Sequence, residues 1–234
     1  MKFEHLLKRA YSPYSGKSNA CVVMDTMGGF HPGIDVENLS YPLSIAYIQN
    51  ALFNCLSEGK TPQKIIYHTK PKQGDLNDYW EKEYQLTSEV IPDLEFELQW
   101  NLKKINERDI PTYLTRLCDF SITPNSSFPV ACVLETEDGF IEGVNVECSN
   151  WELGLCAERV AISKAISYGY REFKSIHISA PKSDYVSPCG GCRQVLMEHL
   201  PGVRVFLYQS GNELMTLTTS QLLPYHFKGD SLKK

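Results

Sequence analysis

Basic charge is in the minority in this chain, with 23 Lys and Arg against 28 Asp and Glu and a formal net charge of −5. That balance argues against a nucleic acid partner, because phosphate binding relies on clustered Lys and Arg. An aromatic-basic channel for a single strand is also missing. No stretch approaches the roughly 18 consecutive apolar residues of a membrane span. The opening "MKFEHLLKRAYSPYS" contains no apolar core of signal-peptide length. These absences lead us to expect a cytoplasmic protein with no membrane association. In that compartment disulfides are rare, so the eight cysteines need another explanation.

What is present is a repeat. Displaced by 110 residues, "GIDVENLSYPLSIAYIQNALFNCLSEG" (33–59) falls without a gap on "GVNVECSNWELGLCAERVAISKAISYG" (143–169). With a one-residue slip, "SPYSGKSNACVV" (12–23) falls on "TPNSSFPVACVL" (123–134). Proline, glycine and Val-Glu positions coincide as well as apolar ones. The unit is far too long for a solenoid, so each half should be a small domain. We expect a first domain over 1–100, a charged linker over 101–112 ("NLKKINERDIPT") and a second domain over 113–234.

Both halves read as α/β. "ACVVMDTMGGF" and "ACVLETEDGF" are strands entering Gly-containing turns, followed by strands through "GIDVE" and "GVNVE". "AERVAISKAISYG" has helical apolar spacing and Gly169 at its C-cap. "KSIHISA" is a short buried strand, "CGGCRQVLMEHL" a helix stopped at Pro201, and "VRVFLYQ" a strand. "TSQLLPYHF" suits a short helix broken near Pro224.

Chemistry concentrates in the second half. Cys189 and Cys192 form a C-x-x-C pair at a helix start, where backbone N–H groups favour thiolate. Cys156 precedes another helix, and the two helix starts flank one strand. Three thiolates with Glu158 beside one of them describe an open zinc site, which keeps a fourth position for water. A C-x-x-C alone is also compatible with a redox pair, half a zinc ribbon or chance. A redox motif needs neither Cys156 nor Glu158, and a ribbon needs a second C-x-x-C. The remaining cysteines (Cys21, Cys55, Cys118, Cys132, Cys148) read mostly as small buried apolar residues.

The order C-A-E, then P-C-x-x-C, resembles the zinc nucleoside and nucleobase deaminases. "GVNVE", "CAERVAISKA", "SPCGGCRQVL" and "LLPYHF" together resemble cytidine deaminase, in its three-cysteine branch. The resemblance implies two tandem three-layer α-β-α domains, each on a mixed sheet of about five strands. It implies one Zn²⁺ per chain on Cys156, Cys189 and Cys192, with Glu158 moving the protons. Phe128 would pack on the base, while Asn145, Val146 and Glu147 would form the ribose side, with the two polar residues bonding its hydroxyls. The Ala157 N–H and the Ser187 carbonyl would address the ring and its amine. Arg159 and Arg193 would offset the negative charge of three thiolates.

The implied activity is deamination of cytidine and deoxycytidine in pyrimidine salvage. Deamination of a modified or antibiotic nucleoside, as in blasticidin-type relatives, and a non-catalytic zinc scaffold are the alternatives. Glu147 and Glu158, respectively, weigh against them. Two departures touch the expected pocket: Cys148 stands where the family usually has Asn, and Trp151 where it has Tyr.

In the first half, Ala46 and Ile48 align with Cys156 and Glu158, Lys17 with Phe128, and the C-x-x-C pair falls on Trp80 and Glu83. That half should keep the fold without the metal. Because the small relatives assemble from four subunits, the resemblance implies a homodimer, with Phe227 reaching a site other than that of its own domain.

Overall fold

The computed structural model describes residues 1–72, 74–98, 102–209, 213–227, 229 and 232. Among the boundary residues of the expected segments, Trp100, Asn101 and Lys234 lie outside the described residues. The chain divides into two compact units, the first built mainly on 1–100 and the second on 101–165 and 170–229.

In the first unit, α1 (Phe3–Leu7) precedes the antiparallel strands β1 (Ala20–Asp25) and β2 (Phe30–Ile34). Helix α2 (Tyr47–Ser57), β3 (Pro62–Tyr67), α3 (Asn77–Tyr84) and β4 (Thr87–Val90) follow. Strand order is β2-β1-β3-β4, with β3 and β4 parallel.

The second unit opens with α4 (Ile110–Leu117), then β5 (Ala131–Glu135), β6 (Phe140–Val144), α5 (Ala157–Tyr168) and β7 (Ser175–Ser179). It closes with α6 (Gly190–His199), β8 (Arg204–Tyr208), β9 (Leu214–Thr218) and α7 (Thr219–Leu222). The order β6-β5-β7-β8 repeats that of the first sheet, directions included, and β9 adds an antiparallel edge. Parallel strands need a crossover, and α6 supplies it between β7 and β8.

Both units are α/β with mixed sheets. The expected five strands occur in the second, whereas the first has four among the described residues. Helix α4 covers one face of the second sheet, where Ile110, Leu114 and Leu117 pack on Ala131, Val133, Phe140 and Val144. The opposite face receives α5. There Gly143 carries the approach, since a Cβ on it would lie 2.3 Å from the Ala157 carbonyl oxygen and 2.6 Å from the Ala161 nitrogen. Gly33 does the same under α2, with Tyr47 O at 2.1 Å and Ala51 N at 2.4 Å. One glycine per unit thus fixes how deeply the helix carrying the C-A-E positions, or their counterparts, can settle on the sheet.

Three features differ from the sequence reading. The segment expected as a linker belongs to the second unit: Lys103 exchanges backbone hydrogen bonds of 2.9 Å with Phe140, and Ile110 begins α4 fully buried. The apolar period at 110, 114 and 117 is helical but short and lies in a charged stretch, which masked it. Second, β9 was not anticipated, because "LMTLT" is short and partly exposed. Third, Trp80 and Glu83 lie inside α3, not at its start, because Trp80 is a core anchor at 1% exposure against Phe53 and Tyr84.

Candidate active site

The three cysteines converge. The sulfurs of Cys156, Cys189 and Cys192 lie within 4.8 Å of one another, and the Sγ atoms of Cys156 and Cys189 are 3.8 Å apart. Cys189 is the N-cap of α6, and its sulfur accepts the Cys192 backbone N–H at 3.4 Å. A helix N-terminus stabilises negative charge at that position. Hydrogen bonds from the Cys156 and Cys192 thiols pull Cys189 down to about 2 and push those two groups up. A cation bound here would displace the protons that the thiols carry. Thiolate sulfur in this number is a zinc donor set, and the residues fit the ion.

Glu158, in the first turn of α5, is 3% exposed, and its burial raises the carboxyl to about 7. It lines a cavity of about 470 Å³ together with Cys156 and Cys189. Glu147 lines the same cavity. Its carboxylate accepts the backbone N–H of Asn125 at 2.9 Å and of Ser126 at 3.1 Å, and also the Ser126 hydroxyl. Burial alone would raise Glu147, but these hydrogen bonds, Ser126 foremost, hold it below the usual carboxylate range. The cavity is thus lined by one carboxylate kept ionised, Glu147, and by one carboxyl that titrates near neutrality, Glu158, together with the metal donors.

Phe128, Asn145, Val146 and Ser187 also line the cavity. Asn145 joins strand and loop: its Oδ1 accepts from Val130 N at 2.8 Å, and its Nδ2 donates to Phe128 O at 2.9 Å. Ala157 is fully buried in the first turn of α5. Phe227 is 57% exposed and is not among the residues lining this cavity. Arg193, expected near the sulfurs, donates Nε to Pro188 O at 2.9 Å and Nη2 to the Ser187 hydroxyl at 2.8 Å. It ties down the loop that delivers Cys189. Arg159 is half-buried, and its charge acts on Glu158.

Sequence reading missed Ser126, Tyr185 and Val186 as cavity residues. Ser126 had a signal in "TPNSSF", a turn-forming run directly before Phe128. Tyr185 and Val186 had none, since they lie in the loop between β7 and α6, whose path depends on the sheet.

Comparison with known proteins bears directly on this cavity. The family model for the cytidine and deoxycytidylate deaminase zinc-binding region matches residues 108–208. A cytidine deaminase from Sporosarcina psychrophila is 41% identical over 111 residues, which cover 47% of this chain and 82% of that protein. The chain belongs to the cytidine deaminase family. A second cytidine deaminase, from Halalkalibacterium halodurans, is 38% identical over 47% of this chain and 84% of its own length. Blasticidin-S deaminase of Bacillus cereus is 31% identical over 42% of this chain and 76% of its own. For this member of the family, all three thiols, Glu158 and both helix starts that deliver them lie inside the matched zinc-binding region.

Proposed function

We propose that the second unit is a zinc-dependent hydrolytic deaminase that converts cytidine and deoxycytidine to the uridine products with release of ammonia. One observation carries the reading: a buried carboxyl that titrates near neutrality, Glu158, shares a cavity with two members of a three-thiol cluster and with an ionised acceptor, Glu147. Cys156, Cys189 and Cys192 would hold the zinc, whose chemistry when bound is to make water nucleophilic at neutral pH.

Glu158 accepts the proton that water loses, delivers it to ring N3, and then takes the remaining proton of the oxygen added at C4 and passes it to the departing amine. Its burial matches this task, because a carrier works best with a pKa near the working pH. The backbone N–H of Ala157 and the Ser187 carbonyl orient the ring and its amine, with Phe128 packed against the base. Glu147, Asn145 and Val146 form the ribose end. Glu147 has acceptor capacity left for hydroxyl protons, which favours a nucleoside over the free base. The same feature favours plain nucleosides over the blasticidin-type alternative. The intact Glu158 weighs against a non-catalytic scaffold.

In this reading the second unit, 113–234 with the segment 102–112 joined to it, is the catalytic domain and works in pyrimidine salvage in the cytoplasm, and the first domain, 1–100, is a non-catalytic repeat. Two chains form a homodimer whose four domains stand in for the four subunits of the small relatives. The exposed aromatics Tyr225 (100%) and Phe227 (57%) support such an assembly, since a subunit interface would bury their apolar surface. Light scattering should return a dimer, and a fully active monomer would refute the assembly. The central test is the ultraviolet change when cytidine is added to zinc-loaded protein, with metal analysis of the same sample. Turnover with one zinc per chain is expected. No turnover, or two zincs per chain, would overturn the reading.

A further inference from the structure

The loop between β7 and α6 brings Ser187 and Cys189 to the cavity, yet it belongs to no strand or helix. Such a loop keeps its place through side chains that satisfy its polar backbone groups. One of these is Gln209, the residue directly after β8. Its Oε1 accepts the Val186 N–H at 2.7 Å, and its Nε2 donates to the Val186 carbonyl at 2.9 Å. Turning the amide over would set donor against donor and acceptor against acceptor, so the pair has a single arrangement. Val186 is 3% exposed and Gln209 is half-buried, which shields both bonds from competing water. Gln209 is itself fixed, because its backbone N–H donates to Glu213 O at 2.8 Å across the β8–β9 hairpin. Tyr185 adds a weaker tie to the same hairpin, its hydroxyl reaching the Met215 sulfur at 3.8 Å.

The four carbonyls from Val186 to Cys189 show what this clamp achieves. Val186 O is taken by Gln209, Pro188 O by Arg193 Nε at 2.9 Å, and Cys189 O by the Arg193 backbone N–H at 2.9 Å. The Ser187 hydroxyl is taken too, by Arg193 Nη2 at 2.8 Å. Among the described residues no donor reaches the Ser187 carbonyl. Gln209 on one side and Arg193 on the other thus hold the residues that flank Ser187 and leave its carbonyl as the acceptor still available. Gln209 is not among the residues lining the cavity, so it acts on a ligand only through Val186 and Ser187.

We infer that Gln209 is a positioning residue for the substrate's amine, setting the Ser187 carbonyl so that a 4-amino donor is bound and a 4-oxo group is not. The inference rests on the reading of Ser187 as the acceptor for the exocyclic amine. An N–H donor pairs with a fixed carbonyl, whereas the C4 oxygen of the uridine product meets it acceptor to acceptor.

The test is steady-state kinetics of the zinc-loaded full chain, with cytidine as substrate and uridine as competing product. Gln209→Leu should raise KM for cytidine about tenfold, lower kcat less than about threefold and keep one zinc per chain. The inhibition constant of uridine should stay within about twofold of the unaltered protein's, because its C4 oxygen brings no proton to Ser187 O. Gln209→Glu is the companion variant. It keeps the size and the bond from Val186 N, but its carboxylate has no proton for Val186 O, so KM should rise as in Gln209→Leu. A merely structural loosening would weaken cytidine and uridine by the same factor, and that result would overturn the inference. So would unaltered kinetics in Gln209→Glu, which would reduce Gln209 to a space filler, or loss of zinc from Gln209→Leu. An unaltered protein that fails to turn over cytidine would overturn the catalytic reading beneath it.

Discussion

The two units share a strand order and a glycine that seats a helix on the sheet, yet only one contains a metal cluster among the described residues. At the aligned positions, Ala46 and Ile48 stand in place of Cys156 and Glu158, and Tyr47 and Trp80 are buried in the first unit. A glutamate survives in both, at the aligned positions Glu37 and Glu147. Fold and chemistry are therefore separable here: the apolar and glycine positions that make the α/β layers are retained where every catalytic donor is gone. Packing tolerates the exchange because Ile48, the counterpart of Glu158, is an apolar residue buried in the core.

The largest effect that bears on this contrast should come from Glu158→Gln. An amide cannot carry the proton, so kcat for cytidine should fall by about 10²–10⁴ while zinc content and melting temperature hold. The mirror substitution Ile48→Glu should add no activity to that of the second unit and should destabilise the first unit, since it buries an unpaired carboxylate. A variant Glu158→Gln with more than a few per cent of the normal rate would break the assignment.

Gly143→Ala and Gly33→Ala form the next pair. Each introduces a Cβ less than 2.4 Å from a helix carbonyl and should cost its own unit about 3 kcal/mol. Denaturation should show the loss for both. In native conditions only Gly143→Ala should lower zinc affinity, because α5 carries Cys156 to the cluster. Equal effects on zinc would show that the units are not independent in this respect.

Glu147→Ala should reduce kcat/KM for cytidine by about 30-fold, roughly 2 kcal/mol of lost hydrogen bonding. Free cytosine has no ribose, so its slow turnover should be unchanged. A uniform loss on both would make Glu147 a structural residue.

The smallest effect is a pH dependence confined to the second unit. His177 stacks on Phe206 at 4.5 Å and bonds Ser175 and Tyr208, and burial lowers it to about 4. Below its unfolded value of about 6.5 the unfolded chain takes up a proton that the folded unit refuses until about pH 4. Stability should therefore fall by about 2 kcal/mol as pH drops through that window. His177→Phe should flatten this slope in thermal melts between pH 7 and pH 4.5. An unchanged slope would place the acid sensitivity elsewhere.

Much of this was legible before any coordinates. Helical and strand periods, the 110-residue repeat and the spacing of Cys156, Glu158, Cys189 and Cys192 are local in the chain, and local patterns survive in one dimension. The resemblance carried by those motifs and by "GVNVE" also singled out Glu147, which lines the cavity. Hidden from it were α4, too short and too embedded in charge to read as a helix, and the loop from β7 to α6, which lines the cavity with Tyr185 and Val186.

The sequence by itself determined the donor types, their order and the loss of donors in the first half, because these depend only on which side chains are present. Tertiary structure alone decided that three sulfurs separated by up to 36 positions meet within 4.8 Å, and that burial raises Glu158 while hydrogen bonds lower Glu147. It alone decided that Arg193 braces a loop instead of a thiolate, and that Gln209 meets both polar backbone atoms of Val186. Those outcomes depend on distance and dielectric, and both are set only when strands pair and helices settle on them.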